Sequence, residues 1–329
     1  FVEVCKSQFA FNPQNAGMLA GATKLATHEG PWKAVWDRFC EAPKRYVNIP
    51  AQIRKCQPPS GTIFWLAGDG SFDGWPQWNE DQEKGLRQEL QSLENVPARE
   101  ARKKILEMEK QHGRRRDLVW AELGESPLAK ALEHLAVLAD VTQTNLAAGT
   151  IEDLTAGYRN LGWKADDAVI RALVSIDKTD DFAAVSMAIR SVYLPWSEES
   201  ARHLQKIVDG TTYPGGTCLS AKPVSLRDGE CVFFIDGLRF DMGKRLGDLL
   251  KCAGFEVTEE PIWAALPSVT ATGKAAVTPV RGKIRGLDNS ADFEPSVSET
   301  GQSLKGGYPL KKMLTEGGWK ILDRSDNGN

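Results

Sequence analysis

The spacing of apolar positions divides the chain into a helical stretch and a stretch that alternates strands with helices. From residue 79 to about residue 210 the apolar positions recur at helical intervals. In the clearest case Leu132, Leu135, Leu138 and Ala139 share one face of a helix at 128–146. Further helices are predicted at 83–92, from Pro97 past Met108, and at 151–161, 165–176, 180–193 and 196–208. No fixed repeat period accompanies them, although tandem helix pairs of this kind resemble a bundle or a solenoid.

Short continuous apolar runs predict strands on both sides of the helical stretch. One lies at 62–67 (TIFWLA), and three follow it much later, at 230–235, from 255 to 257 and at 319–322. Between the later runs the pattern predicts a helix at 241–253, ended by Gly254 in a left-handed conformation, and a helix at 310–315. This alternation indicates a parallel sheet flanked by helices, in which ligands bind outside the carboxyl ends of the strands. Residues 281–305 are polar and are expected to be irregular.

The stretch TTYPGGTCLSAKP at 211–223 has the composition of a linker between domains. We therefore predict a mixed α/β region at 1–80, a helical region at 81–222 and an α/β domain at 223–329. The predicted fold class is α/β, with a mainly helical N-terminal region that precedes the first part of a sheet domain.

Charge and composition narrow the function classes. The 329 residues carry a formal net charge of −3, so no global basic field attracts nucleic acid. The basic helix at 99–116 is either a solvated face or a local track for phosphates, and its interleaved acids favour the solvated face. No apolar run is long enough to cross a membrane. The six cysteines form no CxxC pair, which favours a reduced, cytoplasmic protein.

Candidate chemistry lies in the run CVFFIDGLRFD at 231–241. Asp236 ends a predicted strand whose continuous apolar character implies burial on both faces. Gly237 leaves room beside this carboxylate, although an Asp-Gly turn alone is weak evidence. Asp241 is interpreted as a helix cap or a partner of Arg239 rather than as a catalytic group. Arg239 itself either contacts a phosphate or supports the loop of Asp236.

Three hydroxyl groups follow at alternate positions in LPSVTATG, residues 266–273: Ser268, Thr270 and Thr272. Thr270 lies in a turn that precedes a predicted short helix. Because no histidine is nearby in sequence, a nucleophilic hydroxyl here would need a cation to lower its pKa. The alternative is that the three hydroxyl groups only satisfy the hydrogen bonds of the turn.

Together these motifs resemble the PglZ domain, a branch of the alkaline phosphatase superfamily that occurs in BREX phage-defence systems. FFIDGLRFD, a helix and then ALPSVTATGKAA carry the resemblance in this order and spacing. Upstream, GWPQWNE at 74–80 and RRRDLVWAELGESPLA at 114–129 are similar to the helical region of long PglZ proteins.

The resemblance implies a metal-dependent phosphoesterase that forms a covalent phosphothreonine. Asp236 matches the first metal-binding aspartate, and Thr270 matches the nucleophile that also contacts the metal, with Ser268 as the backup nucleophile. The expected cofactor is Zn²⁺, two ions in the complete protein. The implied partners are other BREX proteins and a phosphodiester substrate such as DNA, in the cytoplasm of a bacterium.

The chain departs from this family pattern in its histidines. The superfamily completes its site with downstream Asp and His ligands, whereas His28, His112, His134 and His203 all lie upstream of Asp236. We therefore expect the chain to be a fragment that lacks the C-terminal half of the catalytic domain, binds zinc poorly and is inactive alone.

Two other function classes compete with the phosphoesterase. The long helical region exceeds what a minimal phosphatase needs, so the chain could instead be a non-catalytic scaffold that docks other BREX components. A Rossmann-like binding domain is disfavoured because no GxGxxG follows the run at 233–235.

Overall fold

The computed structural model describes residues 1–58, 72–211, 213–214, 229–264, 268–286, 294–305 and 307–322. The chain divides into two compact units, Phe1–His203 and Leu204–Asn329, here called the N-terminal and C-terminal units. Helices make up most of the described structure. The predicted helical character is thereby confirmed, while the division into three domains stays a prediction.

The first part of the N-terminal unit is a small helical assembly built around aromatic side chains. Its helices are α1 (Val2–Phe9), α2 (Met18–Ala26), α3 (Trp32–Cys40) and α4 (Asn48–Ile53). Their buried faces form one core with three tryptophans from further along the chain. The large members of this core are Trp32, Trp36, Phe39, Ile53, Trp75, Trp78 and Trp120. The predicted strand at 62–67 lies outside the described residues.

The second part of the N-terminal unit is a helical bundle. It comprises α5 (Pro76–Gln91), α6 (Ala98–His112), α7 (Val119–Glu122), α8 (Pro127–Val141), α9 (Ile151–Gly157), α10 (Trp163–Val174) and the part of α11 (Thr179–Gly210) up to His203. Helix α8 is central and packs against both α6 and α10. The leucines that were predicted to share a face, Leu132, Leu135 and Leu138, are fully buried in this core. The amphipathic pattern therefore placed the main helix of the bundle correctly.

One helix replaces two predicted ones. The helices expected at 180–193 and 196–208 form the single helix α11, which contains Pro195. Proline removes one backbone hydrogen bond, which usually breaks or kinks a helix. Here Val192 and Trp196 are buried on either side of it, and the Trp196 indole donates to the Thr144 carbonyl at 2.9 Å. Tertiary packing thus holds both halves in one helix.

The C-terminal unit contains α12 (Phe240–Cys252), α13 (Thr270–Ala276), β1 (Ile284–Gly286), β2 (Pro295–Val297) and α14 (Gly307–Glu316). Strands β1 and β2 pair antiparallel, with Ile284 opposite Val297. They lie within the stretch that was expected to be irregular, so that expectation was wrong there. Helices α12 and α14 confirm the predicted helices, and Gly254 adopts the expected left-handed conformation with φ 89°. The core is small: Ala275, Val280, Ile284, Leu304, Leu310 and Met313.

The predicted parallel sheet is absent from the described part of this unit. Residues 230–235, 255–257 and 319–322 are extended or irregular and form no strand. The run at 231–235 was expected to be buried on both faces, yet Phe233 is 83% exposed, and Val232 and Phe234 are exposed as well. A strand is stable only when neighbouring strands bond its backbone and cover its faces. The apolar sequence of the run therefore predicts a strand only where neighbouring strands are present, and the run itself does not determine whether they are.

Across the described residues, no helix combines the length and the apolar character that a membrane span requires.

Candidate functional site

The structure brings together the two residues that the sequence assigned to one site, although they are 34 positions apart. The hydroxyl of Thr270 lies 3.3 Å from each carboxylate oxygen of Asp236 and donates to this carboxylate. Both side chains are exposed to solvent. The arrangement therefore presents a hydroxyl and a carboxylate side by side on an open surface.

Local geometry explains how each residue reaches this place. Asp236 follows the extended segment 231–235 and begins a turn in which Gly237 has φ 69°. Only glycine adopts this left-handed conformation readily, so the turn directly after Asp236 depends on it. Thr270 is the first residue of α13, after Val269 in extended conformation. The outcome differs from the prediction in two respects: the strand before Asp236 is missing, and Thr270 begins the helix instead of lying in a turn before it.

Ser268 does not join this pair. It is exposed, lies two residues before α13 and forms no hydrogen bond with the described residues. The side chain of Thr272 lies outside the described residues. Between Ser268 and Thr270, the geometry therefore selects Thr270.

Arg239 and Asp241 form an ion pair at the start of α12. The Arg239 Nε donates to Asp241 Oδ1 at 3.0 Å, which bears out the pairing expected from the sequence. Asp241 lies in the first turn of α12 but makes no side-chain capping bond, so its expected role as a cap was wrong. Its carboxylate is fully buried, and Oδ2 has no hydrogen-bond partner among the described residues.

The residues present fit a metal ion only in part. Asp236 and Thr270 offer two oxygen ligands, whereas a zinc site usually has four ligands, rich in nitrogen and sulfur. Within the described ranges, no group of three or more His, Cys, Asp or Glu could hold a metal ion. All four histidines of the sequence, His28, His112, His134 and His203, belong to the N-terminal unit. The described residues around Asp236 therefore offer two oxygen atoms, fewer than the four ligands of a usual zinc site.

The basic helix does not present a free phosphate track. On α6 Lys103 pairs with Glu107 and Lys104 with Glu100. The three arginines that follow α6 are bonded as well, each to an acid, in the pairs Arg114–Asp73, Arg115–Glu83 and Arg116–Glu109. Lys103, Lys104 and Arg114 lie on the solvated surface, whereas Arg116 is partly buried and Arg115 is fully buried.

A buried polar cluster around Arg115 was missed by the sequence analysis. Arg115 bonds Glu83 and the Asn79 side chain, and its Nη1 contacts His112 Nδ1 at 3.3 Å. Ser126 completes the cluster by donating to Asn79 Oδ1 at 2.9 Å. A signal was present, because Asn79 and Glu83 are one turn apart on the face of α5 that also carries Trp75 and Leu86.

A cleft of about 410 Å³ opens in the N-terminal unit, between α3 and the segment that includes α7. Trp36, Cys40, Asp117, Glu122 and Lys130 are among its lining residues. Burial and the nearby Asp37 raise the pKa of the Cys40 thiol to about 11. Because the thiolate is the reactive form, this cysteine is not a nucleophile at neutral pH.

Comparison with known proteins gives no family. No family model matches this chain, and no curated protein and no solved structure matches it either. The functional argument consequently depends on the sequence motifs and on the geometry around Asp236 and Thr270.

Proposed function

We propose that this chain is part of a metal-dependent phosphoesterase of the PglZ type that acts in BREX antiphage defence. The observation that carries the proposal is the approach of the Thr270 hydroxyl to within 3.3 Å of both Asp236 oxygens. The sequence resemblance assigned a metal ligand and a nucleophile to these two residues independently of their distance.

Each residue has a distinct task in this proposal. Thr270 attacks the phosphorus atom, and Ser268 is the backup nucleophile. Asp236 accepts the hydrogen bond of the Thr270 hydroxyl and so orients the oxygen before attack. Arg239 contacts a phosphoryl oxygen of the substrate.

Zn²⁺ is the proposed cofactor, and Asp236 and Thr270 would contribute oxygen ligands to it. When bound, such an ion lowers the pKa of a coordinated hydroxyl and neutralises phosphoryl charge. This chemistry is needed because the carboxylate of Asp236 is a weak base toward an alcohol.

The proposed substrate is a phosphate ester, and a phosphodiester such as DNA suits phage defence. The ion pairs of α6 argue against a DNA track on that helix. Nucleic acid would therefore be held locally, at the C-terminal unit. We propose other BREX proteins as partners and the bacterial cytoplasm as the location.

Hydrolysis of a model phosphodiester with added Zn²⁺ tests the proposal. We expect activity in the full-length protein and a loss of at least about a hundredfold when Thr270→Ala or Asp236→Ala is introduced into it, as for removal of a nucleophile or a metal ligand. Ser268→Ala is the matched control, and it should retain most of the activity. Full activity of the Thr270→Ala and Asp236→Ala variants would overturn the assignment.

A second candidate function is that of a non-catalytic scaffold that docks other BREX components. The N-terminal unit favours it, because this unit has two hydrophobic cores of its own and carries none of the proposed catalytic residues. Phage defence in cells separates the two functions. Defence that survives Thr270→Ala supports the scaffold, and defence that is lost while the variant still copurifies with its partners supports the enzyme.

A further inference from the structure

The cleft in the N-terminal unit has the size and the fixed walls of a binding site. Its volume of about 410 Å³ lies within the usual range of ligand pockets. Trp36, one of its lining residues, is 6% exposed, and its ring centroid lies 5.3 Å from that of Phe39 and 6.1 Å from that of Trp120. Arg116, also in the lining, is held by an ion pair and by a 3.1 Å bond to the Ala129 carbonyl. Because these side chains already have their partners, the cleft can accept a ligand with little rearrangement.

The charged groups of the cleft divide into those that are bonded within the protein and those that are not. Asp73 and Arg116 each belong to an ion pair. Asp117, Glu122 and Lys130 are exposed, and none of them makes a hydrogen bond or an ion pair with another residue that the structure describes. Two carboxylates against one ammonium leave a surplus of negative charge to face a ligand.

This negative charge reaches the wall of the cleft and not only its rim. Burial is the largest cause that raises the pKa of the Cys40 thiol, and the Asp37 carboxylate raises it further. Lys33 lowers this pKa, and Glu122 raises it. Since Cys40 lines the cleft, the Glu122 carboxylate acts on the space that a ligand would enter.

A ligand that fits this cleft combines a positive charge with an apolar part. Leu118, Val119 and Ala121 supply apolar lining beside the two unbonded acids. Arginine and lysine side chains have this combination, because an apolar stem carries the charged head. Of the two, the guanidinium of arginine also binds carboxylates through parallel hydrogen bonds and packs well on aromatic walls. Phosphate-bearing ligands are disfavoured, since the carboxylates repel them.

We propose that the cleft binds a basic peptide segment of a partner protein, with an arginine side chain that pairs with Asp117 and Glu122. Lys130 opposes this charge and weakens the binding. The cleft lies in the N-terminal unit, which carries none of the proposed catalytic residues. The inference therefore goes beyond the proposed hydrolysis and does not rest on it.

Calorimetric titration of acetyl-Leu-Arg-Leu-amide into the full chain tests the proposal. Asp117→Asn and Glu122→Gln should each weaken binding about threefold, the usual effect of losing an exposed ion pair. Lys130→Gln should strengthen binding about twofold, because it removes a repelling charge. The neutral peptide acetyl-Leu-Gln-Leu-amide should bind at least about tenfold more weakly and should respond to none of these changes.

Asp81→Asn is the matched control. Asp81 is an exposed acid of α5 that does not line the cleft, so its replacement should leave the affinity for the arginine peptide unchanged. A loss in this variant as large as that in Glu122→Gln would reduce the binding to a general effect of charge and overturn the inference.

Other results would overturn it as well. These are no binding of the arginine peptide by the wild-type chain, equal affinity for the two peptides, and weaker binding in Lys130→Gln. Spermidine that binds more tightly than the arginine peptide would replace the peptide by a free polyamine. The outcome is separate from that of the proposed function, because peptide binding needs no turnover. Absent peptide binding with intact hydrolysis overturns this inference alone, whereas the expected order of affinities without hydrolysis sustains it.

Discussion

At the scale of single residues, burial decides what the charged groups do. Arg115 is one of several basic residues in its segment, and the sequence alone gives no reason to separate it from Arg114 or Arg116. In the structure it is 1% exposed and compensates the buried Glu83. Burial is the largest cause of the pKa shifts in this cluster. It raises the pKa of Glu83 and lowers the pKa of His112 to about 4.

His112 should make stability depend on pH. Its pKa is about 4 in the folded protein, because burial and the Arg115 charge disfavour the protonated ring, against about 6.5 in an unfolded chain. The unfolded state therefore binds more protons between pH 6.5 and pH 4. Stability that is fully present at pH 7 should fall by about 3 kcal/mol as the pH drops through this window.

Urea unfolding of the wild type and of His112→Asn at pH 7.0, 5.5 and 4.5 measures this effect. Asparagine keeps an acceptor for Arg115 but does not titrate. The difference in free energy of unfolding between the two proteins should shift in favour of the variant as the pH falls, and the contribution of Glu83 largely cancels in this comparison. A difference that stays constant with pH would contradict the assignment.

At the scale of elements, the start of α8 shows how one distant side chain can replace a local cap. Ser126 is a typical capping residue by sequence, yet its hydroxyl donates to Asn79 instead and caps nothing. Glu83 of α5 takes its place by accepting from the backbone nitrogens of Leu128 at 2.8 Å and Ala129 at 3.3 Å. Helix α8 is thereby tied to α5 at the point where it begins.

Glu83→Gln should consequently destabilise the N-terminal unit far more than the loss of one exposed acid. The variant leaves the Arg115 charge buried without a counter-ion, which typically costs about 3–5 kcal/mol. Glu80→Gln is the matched control, since Glu80 lies on the same helix and pairs with Arg54 at an exposed site, and it should cost less than about 1 kcal/mol. Chemical denaturation of both variants at pH 7 gives the comparison, and similar losses in the two would refute the role of Glu83 as the counter-ion of Arg115.

At the scale of the whole molecule, local patterns predicted the helices well and the sheet poorly. The buried leucines of α8 and the left-handed Gly254 follow from spacing and from the stereochemistry of glycine, which are local properties. The merger of two predicted helices across Pro195 depends on the burial of Trp196, which is a tertiary property. The contact between Asp236 and Thr270 was anticipated by resemblance and not by any pattern, because neither residue carries information about the other.

The exposure of the run at 231–235 gives the sharpest difference between the sequence prediction and the structure. As the central strand of a sheet, this run would bury Phe233, and Phe233→Ala would cost roughly 3–5 kcal/mol in free energy of unfolding. In the structure Phe233 is 83% exposed, so the same change should alter stability by no more than about 0.5 kcal/mol. It should also reduce the binding of a hydrophobic dye, because an exposed apolar run loses its most exposed side chain.

Phe39→Ala is the matched control for this measurement. Phe39 is fully buried in the aromatic core of the N-terminal unit, so its truncation should lower the free energy of unfolding by about 3–5 kcal/mol. Dye binding by the folded protein should stay unchanged, because Phe39 is not on the surface. A large loss of stability in Phe233→Ala would mean that neighbouring strands cover the run in solution. Asp236 would then stand at the end of a buried strand, which is the setting that the resemblance to the PglZ domain requires.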